Sequence, residues 1–290
     1  MMRFFRLFAF LPLTAVALGA AFGSSENPVA APITTEQLLA RLTSSIENLK
    51  TLRCNVRAQE RLSSGKYQQA RTTMKLTFSP QRVYLKNNIK GIEVLWVAGQ
   101  NDGDAWVYPN SFPYVTLSLD PNGSIMRRNQ HHSALDAGYG LVSDLIKGSD
   151  QRRDRSFEHT FRYTGDSIVA GRACYLLRSE FPQFRYVAYT TVAGDTPARV
   201  AAKFGCGEYR VMERNHLAPN EAIAAGKTLQ VPNGYGRRCL VCIDQKLMLP
   251  MVVQVVDDKG LFEKFEFSDI VANQPIPPAE FTKDYPEYKL

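Results

Sequence analysis

The 290-residue chain is poor in the residues that usually carry catalysis. It holds only four histidines and two tryptophans. No HExxH, GxSxG or glycine-rich phosphate loop occurs, so the common signatures of metalloproteases, serine hydrolases and nucleotide-binding enzymes are missing. His131 and His132 are consecutive and precede a predicted helix. Consecutive side chains on a strand point to opposite faces, and no Glu follows at ligand spacing, so neither a metal nor another cofactor is expected. His216 falls at a predicted helix end and reads as exposed. Asp102, Asp104, Asp257 and Asp258 lie in apparent turns, where solvation accounts for them. A glycoside hydrolase needs two carboxylates facing each other across a groove, and nothing marks such a pair. No catalytic residue is therefore expected. A large charge excess is also missing: 35 basic residues stand against 28 acidic ones, a formal charge of +7. The densest basic run, QRRDR at 151–155, itself contains an acid. That describes a solvated face and gives no nucleic-acid surface.

Long apolar runs are absent too, except at the start. Arg3 and Arg6 precede an almost uncharged run at 7–20, followed by small residues in LGAAFGSS. This is the layout of a cleaved secretory signal over residues 1–23, and the run is short for a span of roughly 20 residues. Export places the mature chain in a periplasm or cell envelope. Five cysteines (Cys54, Cys174, Cys206, Cys239, Cys242) then meet an oxidising compartment, and an odd number leaves at least one unpaired in a monomer. Cys239 and Cys242 form a CxxC, but RRCLVCIDQ reads as a strand and no second CxxC completes a zinc site.

What is present is mostly β-structure. TTEQLLARLTSSIENLKTL is a helix, with Thr34 and Gln37 as a capping box and Leu38, Leu42, Ile46 and Leu49 as one apolar stripe. In RCNVRAQER the even positions Cys54, Val56 and Ala58 face one way; Met74, Leu76 and Phe78 repeat the pattern. SSGK, GQNDG, DPNG and DDKG are turn signals at hairpin-like intervals. A second helix is expected over 133–147, its face formed by Leu135, Tyr139, Val142 and Ile146 and weakened by Gly138 and Gly140. Trp96, Trp106, Tyr108, Phe112 and Tyr114 gather in the early strands as sheet core or cavity wall.

The C-terminal sequence LFEKFEFSDIVANQPIPPAEFT, after a strand ending in Asp and an LP in the next, resembles the end of LolA-like proteins. These are periplasmic lipoprotein carriers built as a curved antiparallel half-barrel closed by helices over an apolar cavity. The resemblance covers 34–184 and 237–290. It implies an α+β fold and a cavity for a lipid or lipoprotein acyl chain, with Met74, Leu76, Phe78, Val115, Leu117 and Leu119 as its wall.

Between those halves, YTTVAGDTPARVAAKFG, EYRVMERNHL and APNEAIAAGKTLQVP resemble a LysM module, the βααβ unit that binds peptidoglycan and other N-acetylglucosamine-containing glycans. AGDT occupies the first strand-to-helix turn. Val200, Ala201 and Phe204 fill the inner face of the first helix, and Asn215 and Leu217 close the second. Ile223, Gly226, Leu229, Val231 and Pro232 supply the last loop and strand. The resemblance implies an inserted domain over 187–234 whose glycan-binding residues are Gly194, Asp195, Thr196, Pro197, Asn220, Ala222 and Ile223. Pro197 departs from the usual large apolar residue there, and Thr191 from Val or Ile. Cys206, at the helix junction, is placed to bond to the host domain, for example to Cys239. The expected protein is a non-enzymatic envelope component that binds glycan and lipid. A cell-wall hydrolase and a structural component without a cavity are the alternatives.

Overall fold

The computed structural model describes residues 33–147 and 161–290. The expected signal segment 1–23 and the run 151–155 lie outside the described residues. Helix α1 (Thr35–Glu47) begins at the capping box foreseen: Gln37 N–H donates to Thr34 Oγ1, and Thr34 N–H to Gln37 Oε1. Six strands follow: β1 (Thr51–Arg61), β2 (Tyr67–Phe78), β3 (Gln81–Asn87), β4 (Glu93–Val97), β5 (Ala105–Tyr108) and β6 (Leu117–Leu119). After helix α2 (Gly140–Lys147) come β7 (Arg162–Val169) and β8 (Arg172–Glu180). The unit β9 (Tyr186–Thr190), α3 (Pro197–Phe204), α4 (Glu208–Asn215) and β10 (Thr228–Pro232) interrupts the succession. It then resumes with β11 (Arg238–Asp244), β12 (Pro250–Asp257) and β13 (Gly260–Ala272).

Eleven strands form one open sheet in the order β6-β5-β4-β3-β2-β1-β13-β12-β11-β8-β7, and every pairing is antiparallel. β9 and β10 pair only with each other. This is the expected α+β fold: an open antiparallel sheet with covering helices and an inserted βααβ unit. β8 and β11 flank the insertion and are hydrogen-bonded neighbours, so the sheet continues past it unbroken.

The alternation of β1 decides which side is covered. Leu52, Cys54, Val56, Ala58 and Glu60 share a face, and their β2 partners are Leu76, Met74, Thr72, Ala70 and Gln68. At the Leu52 end, Leu38 and Leu42 of α1 and Val142, Leu145 and Ile146 of α2 join the buried core. Each such side chain stabilises by about 1.5–3 kcal/mol on full burial. The second helix is shorter than expected. Ala134–Asp136 is a single 3-10 turn, and the chain breaks at Gly138 before α2 starts at Gly140. Gly138 has φ +108°, and a Cβ there would lie 3.2 Å from Leu76 Cδ1. A helix across this point is blocked by both backbone and packing.

The opposite face is covered by the C-terminus. Tyr84, Leu95 and Val97 pack with Ile276 and Phe281, and Tyr288 stacks on Tyr84 at 3.8 Å between ring centroids. Glu280 of the 3-10 turn Pro278–Phe281 accepts from both terminal nitrogens of the Arg53 guanidinium at 2.7 and 2.6 Å, and Lys75 Nζ lies 2.7 Å away. These contacts hold its carboxyl down at about 2. The early aromatics do not form the single cluster expected. Trp96 packs on the main core and Trp106 on the C-terminal one, while Phe112 is 88% exposed and Tyr114 62%. All five cysteines are buried thiols. Cys206 sets its sulfur 3.7 Å from the Ala201 carbonyl and does not bridge to Cys239.

Candidate functional site

Beyond the helices, the covered face of the sheet opens into a cavity of about 580 Å³. Its floor is the Val56–Glu60 stretch of β1 with Ala70, Thr72 and Met74 of β2 and Phe265 and Phe267 of β13. Val94, Val107, Leu117 and Leu119 form one side. The lid is the irregular segment 125–138, including Ile125, Met126 and His132. Gln68, Gln69, Lys90 and Arg128 add polar groups to this lining.

Three of the six expected wall residues, Met74, Leu117 and Leu119, line this space. The other three do not. Leu76 is 1% exposed and, with Phe78, lies against the backbone at Gly138, so the chain leading into α2 fills that end of the face. Val115 sits in the loop before β6 and is 49% exposed.

The inserted unit brings its two loops together. Ile223 N–H donates to Asp195 O at 2.9 Å, joining 193–197 to 220–223. Gly194, Asn220 and Ala222 are exposed, Thr196 is half-buried, and Pro197 and Ile223 are buried beneath them. Thr196 caps α3, accepting from Arg199 N–H, and Pro197 takes the first helical position, where an N–H would have no partner. Asp195 is inward. One oxygen accepts from Lys203 Nζ at 2.6 Å; the other accepts from the Tyr189 hydroxyl at 2.7 Å and Val192 N–H at 2.9 Å. Burial pushes this carboxyl up, but Lys203 and the other donors outweigh it and hold it at about 2. Its partners make it the brace of the loop. Thr191 is explained similarly: its hydroxyl donates to Ala224 O at 2.6 Å and accepts from Lys227 N–H at 3.0 Å, ties that Val or Ile would lose.

The unit is not a pendant. Its helix α4 buries Tyr209 and Arg210 against the main sheet. Tyr209 accepts from Ser63 N–H at 3.0 Å and packs on the His131 ring at 4.3 Å. The Arg210 guanidinium is fully buried, 3.6 Å from the centre of Phe262 and 3.9 Å from Asp257. Asp257 itself is buried and gripped by both terminal nitrogens of Arg61, which corrects the expectation of a solvated turn residue. Burial raises the Asp257 carboxyl, and Arg61 and Arg210 more than reverse that. The same unit holds the cavity lid at its start: Asn220 Nδ2 donates to the carbonyl of Asn122, just before the lid, at 3.0 Å, and Glu208 pairs with Arg127 within it at 2.9 Å.

At the inner end of the cavity lies a group the sequence did not reveal. Glu60 and Glu263 are direct cross-strand partners of β1 and β13, both buried. The Glu263 Oε2 atom lies 2.9 Å from His131 Nδ1 and 3.0 Å from His132 Nε2, and its Oε1 accepts from the Tyr235 hydroxyl at 2.6 Å. Residues 131–132 form a bend and no strand, so both rings can turn to one carboxylate. Burial pushes Glu263 up, but the charge and hydrogen bonds of His132 and His131 hold it well below the usual carboxylate range. Glu60 has weaker compensation and is raised by burial. The readable signal was a Glu continuing an inward apolar series in each strand: Cys54, Val56, Ala58, then Glu60; Phe267, Phe265, then Glu263.

Comparison with known proteins bears on both parts. A family model described as a protein of unknown function, DUF1571, matches residues 49–193, half of the chain. The chain belongs to the DUF1571 family. A LysM domain occupies residues 189–232, within the expected insertion. No curated protein matches. Solved structures with similar chains include the MucA/MucB complex of Pseudomonas aeruginosa, at 13% identity and a TM-score of 0.40, covering 86% of this chain and 60% of that one. A LolA superfamily protein from Nitrosomonas europaea has 11% identity and a TM-score of 0.32, covering 88% and 100%. The lipoprotein LppX of Mycobacterium tuberculosis has 12% and 0.40, covering 83% and 97%. This DUF1571 chain spans about three fifths of the length of the MucB chains.

Proposed function

We propose that this protein is a non-enzymatic component of the cell envelope that binds peptidoglycan through its LysM unit and holds a lipid or lipoprotein acyl chain in the half-barrel cavity. Export by a cleaved segment at 1–23 belongs to the same reading. So do the domain limits 34–184 with 237–290 and 187–234. The observation that carries it is one continuous body joining a LysM unit to an apolar cavity, the unit itself bracing the cavity lid at Asn122 and Arg127. A volume of about 580 Å³ falls within the range of roughly 300–1,000 Å³ usual for small-molecule sites. Each methylene buried there is worth about 0.8 kcal/mol, so part of an acyl chain suffices for measurable affinity. Gly194, Asn220 and Ala222 present the exposed glycan surface, with Pro197 and Ile223 as its floor. Asp195 and Thr196 shape the loop.

Sedimentation with purified peptidoglycan and displacement of a fluorescent fatty acid test the two halves separately. The full chain is expected to sediment with peptidoglycan at high salt, and Ala222→Asp, on the exposed rim, to remain in solution. The fatty-acid probe is expected to bind both proteins and to be displaced by phospholipid. Equal sedimentation of the two proteins would reject the glycan half, and absence of probe binding the lipid half.

A further inference from the structure

The carboxylate and imidazole groups at the inner end of the cavity are arranged as donors to a cation. Glu60 and Glu263 face each other across β1 and β13, an arrangement that is unfavourable for like charges and far more so when both are buried. A proton on one of them, or a positive charge set against both, relieves this repulsion. The side-chain donor atoms of Glu60, His132 and Glu263 all fall within 4.8 Å of one another. His131 stands beside this group of three, its Nδ1 lying 2.9 Å from Glu263 and 3.9 Å from Glu60.

The tautomer of His131 is set by its other nitrogen. Nε2 lies 2.9 Å from the Arg61 carbonyl oxygen, which can only accept, so Nε2 carries a proton. Its Nδ1 faces Glu263 Oε2 at 2.9 Å, so His131 orients that carboxylate from outside the group of three. The Tyr235 hydroxyl on Glu263 Oε1 orients the carboxylate in the same way and leaves Oε2 for the centre.

Bonds of about 2.0–2.2 Å set tetrahedral ligands roughly 3.4 Å apart, so the three donor atoms, all within 4.8 Å of one another, need shift only modestly to share one ion, and His132 withdraws from Glu263 by about half an ångström. Glu60 and His132 both line the cavity, which gives the cation its way in.

We propose that Glu60, His132 and Glu263, with His131 orienting the Glu263 carboxylate, form a binding site for a first-row divalent cation, of which Zn²⁺ is the best suited to a mixed imidazole and carboxylate set. The test uses the full chain, stripped with chelator and titrated with Zn²⁺ against a chromophoric competitor, then with Co²⁺ followed by visible absorption. One equivalent of Zn²⁺ is expected to bind, and Co²⁺ to give the visible bands of a low-symmetry nitrogen and oxygen site. Glu60→Gln is nearly isosteric and His132→Gln touches the less buried ring. Each is expected to weaken Zn²⁺ binding by about tenfold or more, while the far-ultraviolet circular dichroism of each metal-free variant matches that of the parent and shows that it is folded. Substoichiometric binding, or affinity unchanged in both variants, would overturn the site. An intense thiolate band with Co²⁺ would place the metal on cysteine and overturn it equally.

Discussion

Ala58 offers the most direct trial of the cavity, because replacing it by Phe should move two measurements in opposite directions. It sits half-buried in the cavity floor, with Ala70 beside it on β2 and Phe265 on β13. An aromatic ring at 58 has a small neighbour on one side and about 580 Å³ of space above it. Complete burial of a Phe side chain is worth about 1.5–3 kcal/mol. With polar groups among the lining, about 1 kcal/mol is a reasonable share, which raises the melting temperature by about 2–4 °C for a body of this size. If the ring displaces about three methylenes of a bound chain, affinity falls by about 2.4 kcal/mol, or roughly 60-fold. Thermal unfolding and titration with a fluorescent fatty acid read both quantities on the full chain. A lower melting temperature together with unchanged affinity would refute the reasoning, since it would mean that the ring clashes and that the probe binds elsewhere.

Two further outcomes follow from buried charges. Glu280 is held at about 2 by Arg53 and Lys75, below its ordinary value near 4.5. Its contribution is therefore complete above about pH 4.5 and is lost as pH falls toward 2. Glu280→Gln should cost about 2 kcal/mol at neutral pH and no more than about 0.4 kcal/mol at pH 2, as read from urea unfolding at both; an equal loss at both pH values would contradict the ion pairs. Arg210 is fully buried, with none of its three guanidinium nitrogens hydrogen-bonded among the described residues. Asp257 keeps Arg61, so Arg210→Met, close in volume, should be neutral or stabilising by about 1 kcal/mol or more. Arg210→Ala should cost about 2–5 kcal/mol through the space it leaves. Destabilisation by Met as large as by Ala would show that the charge itself is required.

Much of the architecture was legible because local rules agree with the global fold. The Thr34 capping box, the Leu38–Leu42 stripe and the alternation of β1 each specify their own element. The LysM unit was readable for the same reason, as a short contiguous βααβ sequence. The second helix was overextended because periodicity carried across Gly138, where φ +108° and contact with Leu76 end it. The cluster at the end of the cavity was out of reach for another reason. Glu60 and Glu263 meet only through the register of β1 on β13, and His131 and His132 converge only because their backbone bends. Register between strands so far apart in sequence depends on every intervening turn. Asp257 was misjudged likewise, since its partner Arg61 comes from another strand.

The attachment of the LysM unit determines what kind of mechanical element it is. A unit joined by one flexible linker swivels, and the direction of its cargo is lost. Here the chain leaves from β8 and returns into β11, two hydrogen-bonded neighbours, and Tyr209 and Arg210 wedge the α4 face against the sheet. Rotation about the attachment would tear buried rings from a packed interface. Whatever the LysM loops grip, the cavity opening is aimed at a fixed angle to it, as a bracket aims what is mounted on it.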